Sequence, residues 1–176
     1  MAIVGLGLGI TGALYRLVLL LHILCASVGF GALAFNGIYR MRAHQLEPDA
    51  ELLLLEESVF VTRTAEYLVY GALVFGLLVS LTSQNEWLTS QWWLSLSILL
   101  YMIEVGLLHG VIHRAEREYH ILLRKVNAGR VDDRPERVAQ LERLEQRISW
   151  GWAGFDLLFL VILYLMVFTP GHARVA

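Results

Sequence analysis

The fold is decided by residues 92–126, which read WWLSLSILLYMIEVGLLHGVIHRAEREYHILLRKV. The first part, residues 92–113, is almost entirely apolar and is long enough to cross a bilayer, which takes about 20 helical residues. The second part keeps the helical period but mixes apolar with charged residues, as expected of a helix that continues into water. The stretch therefore predicts one long helix that spans a membrane and then leaves it.

The rest of the chain has the same apolar character. Hydrophobic residues make up 57% of the sequence, which is more than an ordinary soluble domain contains. We predict an all-α polytopic membrane protein, a four-transmembrane-helix up-and-down bundle that forms a single domain over residues 1–176. A helix that begins near Asp49 should lead into the second span. The four predicted spans are residues 14–37, 65–83, 92–113 and 150–169.

Residues 114–149 are predicted to form a helical hairpin outside the membrane. Its second helix should start after Asp132-Asp133-Arg134, with Pro135 in the first turn. One face of that helix is apolar, and we expect it to pair with Ile121 and its neighbours on the preceding helix. The apolar positions are Val138, Leu141, Leu144 and Ile148.

The positions of the basic residues predict the orientation in the membrane. Nine of them lie between Arg114 and Arg147, and none lies between the second and third spans. Arg40, Arg42 and Arg63 flank the connection between the first two spans. The positive-inside rule then places both long connections in the cytoplasm and both termini outside, in a bacterial cytoplasmic (inner) membrane.

His22 is a candidate functional residue in the first span. It should lie about 10 Å below the outer surface at a rise of about 1.5 Å per residue. An ionisable side chain at that depth is costly, so it could ligate haem or a metal, or handle protons. The alternative is a neutral imidazole that hydrogen-bonds a neighbouring helix. His109 lies about 25 Å from the same surface, too far from His22 in depth for the two to clamp one haem.

Four further candidate ligands follow one another along the inner end of the third span: His109, His113, Glu116 and His120. Their spacing presents nitrogen and oxygen donors on one side of one helix, where a divalent metal could be held. The alternative is a polar stripe of the kind that amphipathic helices present at a membrane boundary.

Three carboxyl groups fall inside the spans or at their rims. Glu66 and Asp156 are expected near the cytoplasmic side, where a partner such as Arg63 or Arg114 would make them structural. Glu104 is deeper, and a bare carboxylate in hydrocarbon is prohibitive. We therefore expect Glu104 to be protonated or hydrogen-bonded to a partner such as a tyrosine. It could serve in a proton relay or join two helices.

Residues 20–44, LLHILCASVGFGALAFNGIYRMRAH, resemble the first-span signature of the copper-resistance-D-like superfamily, a histidine followed by small residues. One group in that superfamily is an uncharacterised bacterial family of integral membrane proteins, whose last span commonly ends in Met-Val-x-Lys-Pro. The corresponding residues here are LMVFTPG, with Thr169 at the position of the lysine. This resemblance implies a multi-span membrane protein and assigns no activity.

The chain also resembles a more distant group, the four-helix membrane protoporphyrinogen oxidases, which bind haem b. The likeness rests on His22 with Arg40 and His44, and on VFGLLVS at residues 74–80. LHGVIHR adds His109, Gly110 and Arg114. This resemblance implies haem b with His22 as its ligand, and Arg40, His109 and Arg114 near the cofactor. The single lysine, Lys125, lies outside the spans, whereas the oxidase uses a lysine within the membrane domain.

Three hypotheses of function follow. The leading one is a non-catalytic integral membrane protein, an accessory or scaffolding subunit of a redox or metal-handling complex. The second is a haem-b-binding membrane oxidoreductase. The third is a small protein for ion or metal transport that uses Glu104 and the histidine stripe. The expected partners are the lipid bilayer and other membrane subunits or a second copy of the chain, with no nucleic acid.

Overall fold

The computed structural model describes residues 10, 12–35, 38–39, 42, 48–83, 91–127 and 135–169. Every regular element in these residues is a helix, as predicted. The elements are α1 (Ala13–Ala34), α2 (Pro48–Thr82), α3 (Trp92–Leu107), a π-helix (Leu108–Ile112), α4 (His113–Asn127) and α5 (Pro135–Phe168). The last three elements before α5 follow one another without a break.

Four helical stretches in the described part of the chain are long and apolar enough to cross a membrane. They are Ala13–Ala34, Leu53–Thr82, Trp92–Val126 and Glu136–Phe168. Each contains, or nearly coincides with, one predicted span. The prediction of an all-α protein with four transmembrane helices is confirmed.

The helix ends follow from local sequence. Pro48 and Pro135 open α2 and α5, because proline has the backbone angle of a first helical turn and no N–H to leave unpaired. α5 ends at Phe168, and the N–H of Thr169, the next residue, donates to the Leu165 carbonyl over 3.0 Å. Thr169 has a φ of 38°, in the left-handed region that a β-branched residue rarely occupies. The backbone is therefore strained at this end of the helix.

The π-helix is the feature that hydropathy did not predict. The His113 N–H bonds to the Leu108 carbonyl, five residues earlier, instead of to the carbonyl four residues earlier. Around this wider turn the buried residues Glu104, Leu108 and Ile112 are four residues apart. From α3 to α4 the buried stripe of the helix comprises Tyr101, Glu104, Leu108, Ile112, Ala115 and Tyr119.

The contacts divide the chain into two compact units. The first unit comprises Met1–Leu33, Val61–Leu99 and Ile162–Ala176, and the second comprises Ala34–Phe60 and Leu100–Val161. In the first unit, α1 packs on α2 so closely that a Cβ on Gly29 would lie 3.0 Å from the backbone N of Val69. In the second unit, α5 packs on the π-helix, where a Cβ on Gly151 would lie 2.7 Å from Cγ1 of Ile112.

The residues of the predicted hairpin seam differ in burial. Leu144 and Ile148 of α5 are buried, but Val138 is 46% exposed. On α4 the buried residues are Leu122 and Leu123, whereas Ile121 is 49% exposed. The expected role of Ile121 was therefore wrong. The helical period explains this: residues 119, 122 and 123 share a face, and residue 121 points about 200° away from residue 119.

Candidate intramembrane site

His22 is bound into the interface between α1 and α2 of the first unit. Its Nδ1 lies 2.7 Å from the Ala72 carbonyl oxygen, which can only accept, so Nδ1 carries the hydrogen. The half-buried ring lies against Gly76, where a Cβ would come within 3.1 Å of Nδ1 and 3.0 Å of Cε1. Glycine at position 76 therefore makes room for the ring. This bond matches the alternative in which His22 joins two helices.

The same hydrogen bond also fixes which nitrogen of His22 could bind a metal. With the hydrogen on Nδ1, the lone pair of a neutral ring is on Nε2. Ligating histidines commonly donate their other N–H to a backbone carbonyl in this way. The geometry of His22 therefore suits a helix-joining residue and a ligand equally well.

Small residues bring α1 against α2 on one side only. Gly71 faces Cys25, with 3.1 Å between the position of a Cβ and the Cys25 Sγ. Ser27 and Gly31 are likewise four residues apart on α1, a spacing of small residues that permits close helix packing. Ser27 is exposed, and no described atom lies within 4 Å of a Cβ built on Gly31. The Ser27–Gly31 side of α1 is thus open in the described structure.

A second open pair of small residues lies at the junction of α3 and the π-helix. Gly106 and Gly110 are both exposed, and a Cβ on either would meet no described atom within 4 Å. They form the G-x-x-x-G pattern GLLHG over residues 106–110, which permits close approach of another transmembrane helix. The sequence contained this signal, but the sequence analysis considered the stretch only for its ionisable residues and for a resemblance that includes Gly110.

The predicted metal stripe is only partly assembled. The rings of His109 and His113 are 5.2 Å apart between centroids, in an edge-to-face arrangement. A metal site needs at least three ligand atoms close together. Among the described residues of the second unit, neither Glu116 nor His120 belongs to a group of ligand atoms that all lie within 4.8 Å of one another. Glu116 instead accepts a hydrogen bond of 3.2 Å from Trp152 Nε1 of α5. His120 packs its ring against Tyr119, with the centroids 6.4 Å apart.

Of the two arginines predicted near a cofactor, the structure describes only Arg114. Arg114 is exposed at the start of α4. Arg40 lies outside the described residues, as does His44.

The three intramembrane carboxyl groups differ in burial. Glu66 of α2 is 9% exposed and Asp156 of α5 is half-buried. Glu104 of α3 is 1% exposed, and neither of its carboxyl oxygens has a hydrogen-bond partner among the described residues. Of the two states expected for Glu104, the hydrogen bond to a partner is not formed among the described residues, and the protonated state stays a prediction. Glu104 is instead a fully buried carboxyl on the central stripe of α3.

Comparison with known proteins gives one match, which covers most of the chain. Residues 16–170 match the family described as "Predicted integral membrane protein (DUF2269)". No curated protein and no solved structure matches significantly. The resemblances to copper-resistance-D-like proteins and to protoporphyrinogen oxidase gain no support from these comparisons. With its four helices able to span a bilayer, the chain belongs to this family of integral membrane proteins.

Proposed function

We propose that this chain is a non-catalytic accessory or scaffolding subunit that assembles with other membrane proteins, or with a second copy, in a bacterial cytoplasmic membrane. The complex it serves would be one that handles electrons or metal ions. The orientation proposed has both termini outside, as the distribution of basic residues favours.

The observation that carries this proposal is the open glycine pair at Gly106 and Gly110. Both residues are exposed, and no described atom lies within 4 Å of a Cβ on either. Helices in lipid gain little from hydrophobic burial, so close backbone packing at small residues is a main source of their association. A glycine in a helix interior also costs about 1 kcal/mol relative to alanine. Two such glycines on an open face are therefore best explained by a helix that packs there.

The neighbouring residues suit such a contact. Met102 and Ile103, one helical turn before Gly106, are 48% and 49% exposed. Large side chains beside a pair of glycines form the walls of a shallow groove into which a partner helix fits. His109 is also exposed between the two glycines and can hydrogen-bond a partner across the contact.

The test is co-purification of two differently tagged copies from one membrane, with identification of every other subunit retained in mild detergent. The wild-type chain should retain a second copy or a defined membrane protein. Gly106→Leu should lose that partner, because the added side chain blocks close approach. Gly31→Leu is the control, a change at a half-buried glycine of α1 where a Cβ also meets no described atom within 4 Å. Loss of the partner in both variants, or in neither, would contradict the proposal.

Haem b binding at His22 is the second candidate function. Its support is the hydrogen bond from Nδ1 to the Ala72 carbonyl, which leaves Nε2 available to a metal. If it is correct, protein produced with haem supplied has a Soret band, which His22→Ala abolishes and His109→Ala largely retains. A wild-type protein without this band rules it out. If His22 only joins helices, His22→Gln should preserve the fold, since an amide can donate to the same carbonyl.

A further inference from the structure

The most unusual buried group in the second unit is Glu104. Its side chain is 1% exposed, and it lies between Tyr101 and Leu108 on the buried stripe that runs from α3 through the π-helix. Both carboxyl oxygens are buried and lack a hydrogen-bond partner among the described residues. A buried polar group without a partner is rare in folded proteins and calls for an explanation, of which an unseen ion is one.

The packing of α5 brings a second carboxyl group to the same height. A Cβ on Gly151 would meet Ile112, and one on Gly154 would meet Leu107, so α5 runs antiparallel to α3 and the π-helix. Asp156 lies two residues beyond Gly154 on α5. At a rise of about 1.5 Å per residue, it is therefore at the same height as Glu104 along the helix axis, to within about 2 Å. Both residues lie in the second unit, on helices that pack against each other.

Among the described residues of this unit, no lysine or arginine lies within two helical turns of Glu104 or of Asp156 along its own helix. The exposed Arg114 and Arg117 lie on α4, about three turns from Glu104 along the helix. The titratable groups nearest to Glu104 along its own helix are the buried Tyr101 and the exposed His109, and α5 contributes Asp156. Two facing carboxylates in a low-dielectric region repel each other and lose their hydration, so at least one positive charge must accompany them.

The π-helix next to Glu104 also favours a binding role for this residue. It begins four residues after Glu104, and such wide turns recur at functional sites because they disturb the regular hydrogen-bond ladder of a helix. Ionisable residues inside membrane spans likewise mark ion and proton sites more often than they serve packing.

We propose that Glu104 and Asp156 form an intramembrane site for one small monovalent cation, either a proton or an alkali-metal ion. Glu104 supplies the buried carboxyl that holds the cation, and Asp156, which is half-buried, supplies the second charge. The two possible occupants share one chemistry, a single positive charge held between two carboxyl groups. This role is separate from subunit assembly, because Glu104 is buried whereas Gly106 is exposed on the opposite side of α3.

A hydrophobic carbodiimide tests this site in the full-length protein reconstituted in lipid nanodiscs. The reagent couples to protonated carboxyl groups in apolar surroundings, and peptide mass spectrometry reports the extent of modification at Glu104. If a proton is the occupant, modification should fall by about tenfold per pH unit above the titration midpoint of Glu104. If an alkali-metal ion is the occupant, sodium or lithium should slow modification at constant pH severalfold, whereas choline should not.

The control variants separate this site from other carboxyl groups. Glu104→Gln should abolish the modification, and Glu66→Gln should leave it unchanged. Asp156→Asn should remove the protection by sodium or displace the pH midpoint by about one unit. Modification of Glu104 that is independent of both pH and cation would overturn the proposal, since Glu104 would then be a permanently neutral packing residue. Modification confined to other carboxyl groups would overturn it equally.

Discussion

Replacing Gly29 with alanine should destabilise the protein through the interface between α1 and α2. A Cβ at that position would lie 3.0 Å from the Leu68 Cβ, 3.0 Å from the Val69 backbone N and 3.2 Å from the Ala65 carbonyl oxygen. Two of these atoms belong to the backbone of α2, so no side-chain rotation can relieve the contact. The two helices must separate by a few tenths of an ångström or more.

A control substitution on the same helix isolates the loss of stability that this close contact causes. Gly31→Ala adds the same methyl group two residues later, where no described atom lies within 4 Å. Both substitutions gain about 1 kcal/mol in helix propensity, so this contribution cancels in the comparison. What remains is the cost of overpacking, about 1–3 kcal/mol. Gly29→Ala should therefore be less stable than Gly31→Ala by about that amount.

The assay is thermal unfolding of both variants in the same detergent, followed by far-ultraviolet circular dichroism. For a chain of this size, each kcal/mol corresponds to about 2–4 °C in Tm. Gly31→Ala should unfold at or above the Tm of the wild type and Gly29→Ala several degrees lower. Equal Tm values for the two variants, or a higher value for Gly29→Ala, would refute the close packing of α1 on α2.

Three other predictions follow from the described helices. Ile148→Ala should cost about 2–5 kcal/mol in stability because Ile148 is fully buried. Val138→Ala, at a position 46% exposed, should change the stability by less than about 0.5 kcal/mol. Equal effects of the two variants in chemical unfolding would contradict the hairpin seam. Thr169→Gly should raise stability by about 1 kcal/mol by relieving the positive φ of 38°, and a lower Tm would disprove that strain. In a Cys25→Ser background, Arg137→Cys should resist an impermeant thiol reagent in intact cells and react after lysis, and labelling in intact cells would reverse the orientation proposed from the basic residues.

The membrane architecture was predictable because it depends on composition over long windows. About 20 apolar residues must form a helix in a bilayer, whatever their order, so the four spans were readable without knowledge of contacts. The start of α2 near Asp49 was readable for a local reason, the restricted backbone of Pro48. Neither inference required information about which helices touch.

The details of the candidate sites were less predictable because they depend on which face of a helix is covered. Ser27–Gly31 and Cys25–Gly29 have the same spacing in the sequence, yet Gly29 packs against α2 and Gly31 is open. The π-helix changes the helical register of the residues after Leu108, and no sequence pattern predicted it. Glu104 was singled out by its place in an apolar run, but the absence of a hydrogen-bond partner among the described residues required the structure.

The most direct test of assembly through the glycine pair is native mass spectrometry of the protein released from mild detergent. A single chain has a mass of 19.9 kDa. The proposal predicts a larger species that contains a second copy or a defined membrane subunit, and predicts that Gly106→Leu reduces it to the single chain. A wild-type protein found only as the single chain, with the same spectrum for Gly106→Leu, would contradict the proposed role as an accessory subunit.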